Sequence, residues 1–183
     1  MRSRPAWAAL ACAVVVGLVV GLYWFQPWKL FTDTYVDEAV PPTETAATVP
    51  TATAAAPATS AAAPAATEVL TAGAFVTHEH RTTGRAEIHR LADGRHRLVI
   101  RDLDTSNGPD LRVWLTDQPV VEGTAGWRVF DDGEWVELAR LKGNKGNQVY
   151  ELPASVDPGD FRSVSIWCKR FAVSFGAADL KSV

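Results

Sequence analysis

The sequence predicts an all-β domain, an antiparallel β-sandwich or barrel-like module, preceded by one transmembrane helix and a disordered linker. Three observations lead there. Beyond residue 69, short runs alternate apolar and polar residues with period two, the pattern of half-buried strands. Turn signals carrying Gly, Asn or Pro separate those runs at short intervals, as in sandwiches and barrels. Ahead of them lie an uncharged apolar run and a stretch made almost entirely of Ala, Thr and Pro. The 183 residues therefore divide into a cytoplasmic N-terminus (1–5), a transmembrane helix (6–25), a linker (26–68) and a β domain (69–183).

Ala6 to Phe25 carries no charge over about 20 residues, enough to span a hydrocarbon core at the helical rise. Arg2 and Arg4 precede the run, and Lys29, Asp33, Asp37 and Glu38 follow it. That bias keeps the N-terminus in the cytoplasm and sends the remainder across. Tyr23, Trp24 and Trp28 sit at the far end, where amphipathic rings favour the headgroup level. The run ends in Leu22-Tyr-Trp-Phe-Gln-Pro-Trp, which is bulky where a cleaved signal peptide has a small-x-small site. Cys12 lies near the start of the run, whereas a lipidated cysteine belongs at its end. The expectation is an uncleaved, single-pass anchor in contact with the lipid bilayer through residues 6–25.

Pro41, Pro42, Pro50, Pro57 and Pro64 interrupt the Ala- and Thr-rich stretch too often for a helix. It has little apolar bulk to bury, so it reads as a disordered, extended spacer of roughly 80 Å reach. The same composition suits an O-glycosylated stalk or an unmodified one. Either way its expected role is distance from the membrane.

In the domain, Arg95-His-Arg-Leu-Val-Ile-Arg sets His96, Leu98 and Ile100 on one face and Arg95, Arg97 and Arg101 on the other. Leu111, Val113 and Leu115 share a face, as do Val164, Ile166 and Cys168. Ala74–Thr77, Arg85–Leu91, Trp135–Leu141, Gln148–Leu152 and Phe171–Phe175 are further strands. Ala92-Asp-Gly-Arg, Ser106-Asn-Gly-Pro-Asp, Asp131-Asp-Gly-Glu, Lys142-Gly-Asn-Lys-Gly-Asn and Val156-Asp-Pro-Gly-Asp are the turns. The apolar face slips register between Cys168 and Phe171. A Lys169-Arg170 hairpin lacks the Gly or Asn that two-residue turns prefer, so a β-bulge is expected there.

Basic and acidic residues nearly balance in the domain, which gives no electrostatic footprint for nucleic acid. No nucleophile elbow, nucleotide loop or zinc helix is present in the sequence. Asp102-Leu-Asp-Thr-Ser-Asn-Gly-Pro-Asp begins like a calcium loop but has Asn107 and Val113 where Gly and Glu are needed, and reads as an Asx-rich turn. His78 and His80 are spaced for one strand face. With no Met in the domain and no His after Cys168, a copper site is not expected, and the pair is placed in a solvated loop.

Two features remain as candidate sites. Cys168 is the domain's one cysteine, a solitary thiol where disulfides normally form. It is a packed core residue, a partner in a disulfide between chains, or a redox thiol, with Lys169 and Arg170 beside it as potential thiolate stabilisers. Trp114 and Trp167 point away from the aliphatic faces of their strands. They form either an exposed binding patch or a surface covered by the Gln118–Trp127 loop.

Gly73-Ala-Phe, Gly108-Pro-Asp-Leu-Arg-Val-Trp-Leu, Leu141-Lys-Gly-Asn-Lys-Gly-Asn-Gln-Val-Tyr-Glu-Leu-Pro and the segment from Val164 to Leu180 resemble, in order, the DM-thirteen domain family. The resemblance runs from about Leu70 to Leu180 and implies a β-rich extracellular module with a proposed electron-transfer role. It implies that Cys168 is the redox residue, as a bare thiol or as a ligand to a prosthetic group such as haem. There is no Cys-x-x-Cys-His attachment motif. The expected function is thus a membrane-anchored redox module centred on Cys168, with an unspecified partner in the cell envelope. The alternative is a non-catalytic envelope binding or scaffold module using the Trp114/Trp167 surface.

Overall fold

A computed structural model describes residues 4–40 and 67–183 of the chain. Helix α1 (Arg4–Phe25) is followed by a 3-10 turn (Pro27–Phe31) and a short strand β1 (Tyr35–Asp37). After residue 66 come β2 (Glu68–Thr77), β3 (Thr83–Arg90), β4 (His96–Asp104), β5 (Leu111–Thr116), β6 (Trp135–Arg140), β7 (Lys145–Glu151), β8 (Ser163–Cys168), β9 (Val173–Asp179) and β10 (Lys181–Ser182). All the expected strands are present. The Trp7–Phe25 part of α1 is long and apolar enough to cross a membrane.

The strands form one curled, barrel-like sheet in the order β1-β7-β4-β3-β2-β9-β8-β5-β6, with β10 also on β2. All of these pairings are antiparallel except β1 with β7. Strand β2 belongs to both halves, pairing with β3 along one stretch and with β9 along the other. Curling the sheet brings its two halves around a single core. Ile88, Leu98, Ile100 and Tyr150 come from one half; Val113, Val164, Ile166, Val173 and Phe175 come from the other. These are the inward positions of the period-two pattern.

The opposite face of the second half is covered differently. The segment between β5 and β6 folds back over it, with Ser174 N–H bonded to Trp127 O at 2.8 Å and Phe130 fully buried. Trp114, Trp167, Phe130 and Ala177 make a second, smaller apolar cluster there.

Two expectations need correction. Residues 26–68 are predicted from sequence to be a disordered linker, but residues 27–31 form a 3-10 turn and residues 33–38 are bonded to the domain. The segment 41–66, to which the spacer reading also applied, lies outside the described residues. The Lys142-Gly-Asn-Lys-Gly-Asn segment is what receives β1. Asn144 Oδ1 accepts from Thr34 N–H at 2.7 Å, and its amide donates to Asp33 and to Thr105 O, both at 2.8 Å. Asn147 donates to Asp37 at 2.9 Å, and Lys142 Nζ pairs with Glu38 at 2.8 Å. Gly146 has φ +96°, and a Cβ on it would run into the Val36 carbonyl, so glycine is required for this close approach. A three-residue strand is too short to show alternation, and its partners lie about 110 positions away, which is why periodicity did not reveal it.

The second correction concerns Cys168 to Phe171, where a bulge was expected. Instead, β8 and β9 form a hairpin in which Cys168 pairs with Val173 across the connection 169–172. The residue that turns the chain is Ala172, at φ +49°, a region usually left to Gly or Asn. Arg128 Nη1 compensates by donating to Phe171 O and Ala172 O at 3.2 and 3.1 Å. A register shift does occur, but two residues further along: Ile166 pairs with Gly176 and Trp167 with Ser174, leaving Phe175 extra on β9.

Candidate functional site around Cys168

Cys168 is the last residue of β8, flanked by β5 and β9 and paired with Leu111 and Val173. Its side chain faces the core with Val164 and Ile166 and has no solvent exposure. It is a free thiol, as is Cys12 on α1. Burial pushes the Cys168 thiol above its ordinary pKa. The nearby backbone of Phe171, Asp110 and Arg170 pulls the other way without outweighing burial.

The two neighbouring cations do not reach it. Lys169 Nζ pairs with Glu137 at 3.0 Å, and Arg170 donates to Tyr23 O and Trp24 O at 3.2 and 2.7 Å, at the end of α1. Arg170 also lies over the Trp24 ring, and Phe171 stacks on Phe25 at 5.7 Å. The 169–172 turn thus closes the space over the sulfur. It is held by Arg128 on one side and by the end of the apolar helix on the other.

Trp114 and Trp167 are 3% and 1% exposed, so they form no open aromatic patch. The segment 117–134 covers them, further along than the Gln118–Trp127 loop alone, because Phe130 supplies an edge contact to Trp167 at 6.4 Å. Trp114 stacks on Trp167 at 5.0 Å and on Trp135 at 4.0 Å, and Trp135 is 40% exposed. Three indoles therefore run from the surface to Trp167, the chain neighbour of Cys168. Sequence alternation revealed two of them. Trp135 was hidden because its pairing with Thr116, two residues beyond Trp114 on β5, is a tertiary fact.

His78 and His80 were expected in a solvated loop. His78 is buried instead. One ring nitrogen meets Ser174 Oγ at 2.9 Å and the other Val121 O at 3.1 Å. Ser165 donates to Ser174 at 3.0 Å, so a neutral His78 accepts from Ser174 and donates to Val121, completing the chain of hydrogen bonds. Burial holds its pKa below the ordinary imidazole value, which favours that neutral form. His80 stacks on Phe175 at 4.0 Å, on the side of the sheet away from Ser174. The two histidines are thus committed to different surroundings. No group of three or more His, Cys, Asp or Glu suited to a metal ion occurs among the described residues.

The fit of a haem to Cys168 can be tested on this geometry. An axial thiolate needs an open side facing the macrocycle. The sulfur of Cys168 is enclosed by core side chains and backbone amides, and it lines none of the described cavities. The residues present do not fit a haem ligated there.

An all-β module with one buried thiol among its strands, beside a helix able to enter a membrane, defines the class: a β-rich module carrying a single sulfur centre. The family model described as electron transfer DM13 matches residues 74–180, more than half of the chain, and the protein belongs to that family. Neither a search of curated proteins nor one of solved structures returned a match.

Proposed function

We propose that the protein is a membrane-anchored electron-transfer module, held outside the cytoplasm, in which Cys168 is the redox group. The observation that carries this reading is the seat of Cys168. In a member of an electron-transfer family, the domain's one cysteine is fully buried at the end of β8, between β5 and β9. A thiol enclosed in this way is a poor reagent for thiol–disulfide exchange, which needs an accessible thiolate. Loss of a single electron requires no atomic contact. The thiol passes one electron to a one-electron acceptor in the membrane or on a partner protein. Its S–H bond breaks, the proton leaves to water past the 169–172 turn, and a sulfur radical remains. An electron from a donor and a proton from water restore the thiol. The Trp135–Trp114–Trp167 stack supports an electron path from the surface to the strand that carries Cys168.

Anchoring is supported by the length and apolarity of Trp7–Phe25 and by the bonds from Arg170 to the end of α1, which tie the helix to the domain. Arg2, with Arg4 at the start of α1, supports a cytoplasmic N-terminus. The scaffold alternative has lost the open Trp114/Trp167 patch that motivated it. The test is an electron count. Full-length protein titrated with the one-electron oxidant hexachloroiridate is expected to give up one more electron than Cys168→Ser and Cys168→Ala variants that keep the wild-type circular dichroism. Equal counts in all three would remove Cys168 from the mechanism.

A further inference from the structure

The junction between α1 and the domain holds a cleft of about 380 Å³. Phe25, Pro27 and Leu30 form one wall; His80, Phe171 and Phe175 form the other. It is the concavity next to Cys168: Phe175 belongs to the same core cluster, and Phe171 donates its N–H to Cys168 O at 3.2 Å. A larger concavity, about 570 Å³, is lined by residues 93–96 and 151–158.

We infer that this cleft binds a lipid-dissolved planar ring bearing a carbonyl oxygen, a ligand of the quinone class. The inference rests on the anchored electron-transfer reading and names its redox partner in the membrane, whose reduced form supplies the electron that restores the thiol. Three observations carry it. First, the wall on the helix side is the run that directly follows the apolar span, and Trp28, Leu30 and Phe31 on it are exposed. With α1 in a bilayer, the cleft opens at the level of the headgroups, and an apolar molecule enters from the lipid. Second, the exposed surface of the cleft is mainly apolar and aromatic, with the polar side chains of Gln26, Lys29 and Glu79 also in its lining, a composition that suits a small molecule with a polar head. Third, His80 supplies a directed polar contact. Its ring lies on Phe175, burial holds its pKa down so that the neutral imidazole keeps one N–H, and neither ring nitrogen has a hydrogen-bond partner among the described residues. A ring carbonyl accepts that N–H. A phospholipid acyl chain fills the apolar walls but leaves the imidazole unanswered. Asn107, whose Oδ1 accepts from Gly108 N–H at 2.8 Å, also lines the cleft and keeps its side-chain NH2 as a second donor.

The experiment uses the full-length chain in phosphatidylcholine nanodiscs, photolabelled with a short-tailed azido-ubiquinone and mapped by mass spectrometry. Saturable labelling is expected on peptides containing Phe25–Leu30 and Phe171–Phe175, competed by unlabelled short-tailed ubiquinone. Leu30→Glu places a charge in the apolar wall at an exposed position and should lower labelling about tenfold. His80→Phe keeps the ring stack but removes the N–H and should raise the apparent Kd about fivefold. Cys168→Ser should label like the wild type. Labelling with no loss of the Cys168 electron in that variant therefore spares this site and removes the redox role, while an intact Cys168 electron without labelling does the opposite. Unsaturable labelling spread along α1, or equal labelling in both wall variants, overturns the site. So does competition by a phospholipid bearing a photoreactive acyl chain, which would make an acyl chain the occupant.

Discussion

Glu87 and His89 stand two apart on β3 and are 2% and 1% exposed, although the face they share points away from the aliphatic core. His89 Nε2 donates to Glu87 at 2.8 Å, and Arg101 Nε donates to the same carboxylate at 2.9 Å. Burial pushes the Glu87 carboxyl up, but the bonds and charges of His89 and Arg101 outweigh it and hold the pKa below the ordinary value. For His89 burial wins over the pull of Glu87, and its pKa is lowered. Both signs act in the same direction. A depressed imidazole refuses a proton that the unfolded chain accepts below about pH 6.5, so stability falls from there downward. A depressed carboxyl adds a further loss as pH falls from the unfolded Glu value, about 4.3, through its folded pKa. His78 and His80, also depressed by burial, add to the first part. Thermal melts are expected to show a falling midpoint between pH 7 and pH 5, and His89→Gln should flatten that fall. A midpoint that rises on acidification contradicts the assignment. The alternation of Leu98 and Ile100 against Arg97 and Arg101 was legible in the sequence, because period two fixes faces directly. Burial of Glu87 and His89 was not, because it depends on Arg101, which comes from the neighbouring strand.

Among the elements, β1 is the one whose existence depends most on distant side chains. Its backbone and flanking carboxylates are received by Asn144, Asn147 and Lys142, and Gly146 leaves room for the Val36 carbonyl. Glu38 takes a side-chain bond from Lys142 and accepts from Val149 N–H at 2.7 Å, which holds its pKa low. This gives a physical reading to the Lys-Gly-Asn-Lys-Gly-Asn segment, whose glycines and amides otherwise look like turn residues only. Residues 35–37 lie outside the 74–180 span matched by the family model, so the docking is a feature that extends the domain toward the membrane helix. Asn144→Ala removes three hydrogen bonds at a site 1% exposed, and is expected to cost about 2–3 kcal/mol. Hydrogen exchange should then speed up at Tyr35–Glu38 while the β8–β9 amides keep their protection. Uniform loss of protection across the sheet would mean that β1 is not a separable element. The hairpin at 169–172 is the complementary lesson. Its register slip was visible in sequence, but the turn was not, since an Ala in the left-handed region is tolerated only because Arg128 bonds the two carbonyls around it.

For the whole molecule, the all-β class, the helix able to enter a membrane and the identity of most strands follow from periodicity and turn chemistry, which act locally. The closure of the sheet on itself, the cover over Trp114 and Trp167, and the contact between α1 and the 169–172 turn are long-range packing and leave no local signature. Together they place Cys168 inside a wall of strands, under a turn tied to the end of the apolar helix, with indoles leading to its own strand. The most direct test of that arrangement is spin trapping of full-length protein under a one-electron oxidant, with the adduct located by mass spectrometry. The account predicts a sulfur-centred adduct at Cys168 whose yield falls when Trp114 is replaced by leucine in a folded variant. Adducts confined to Trp135 and other exposed rings, with Cys168 recovered intact, would contradict it.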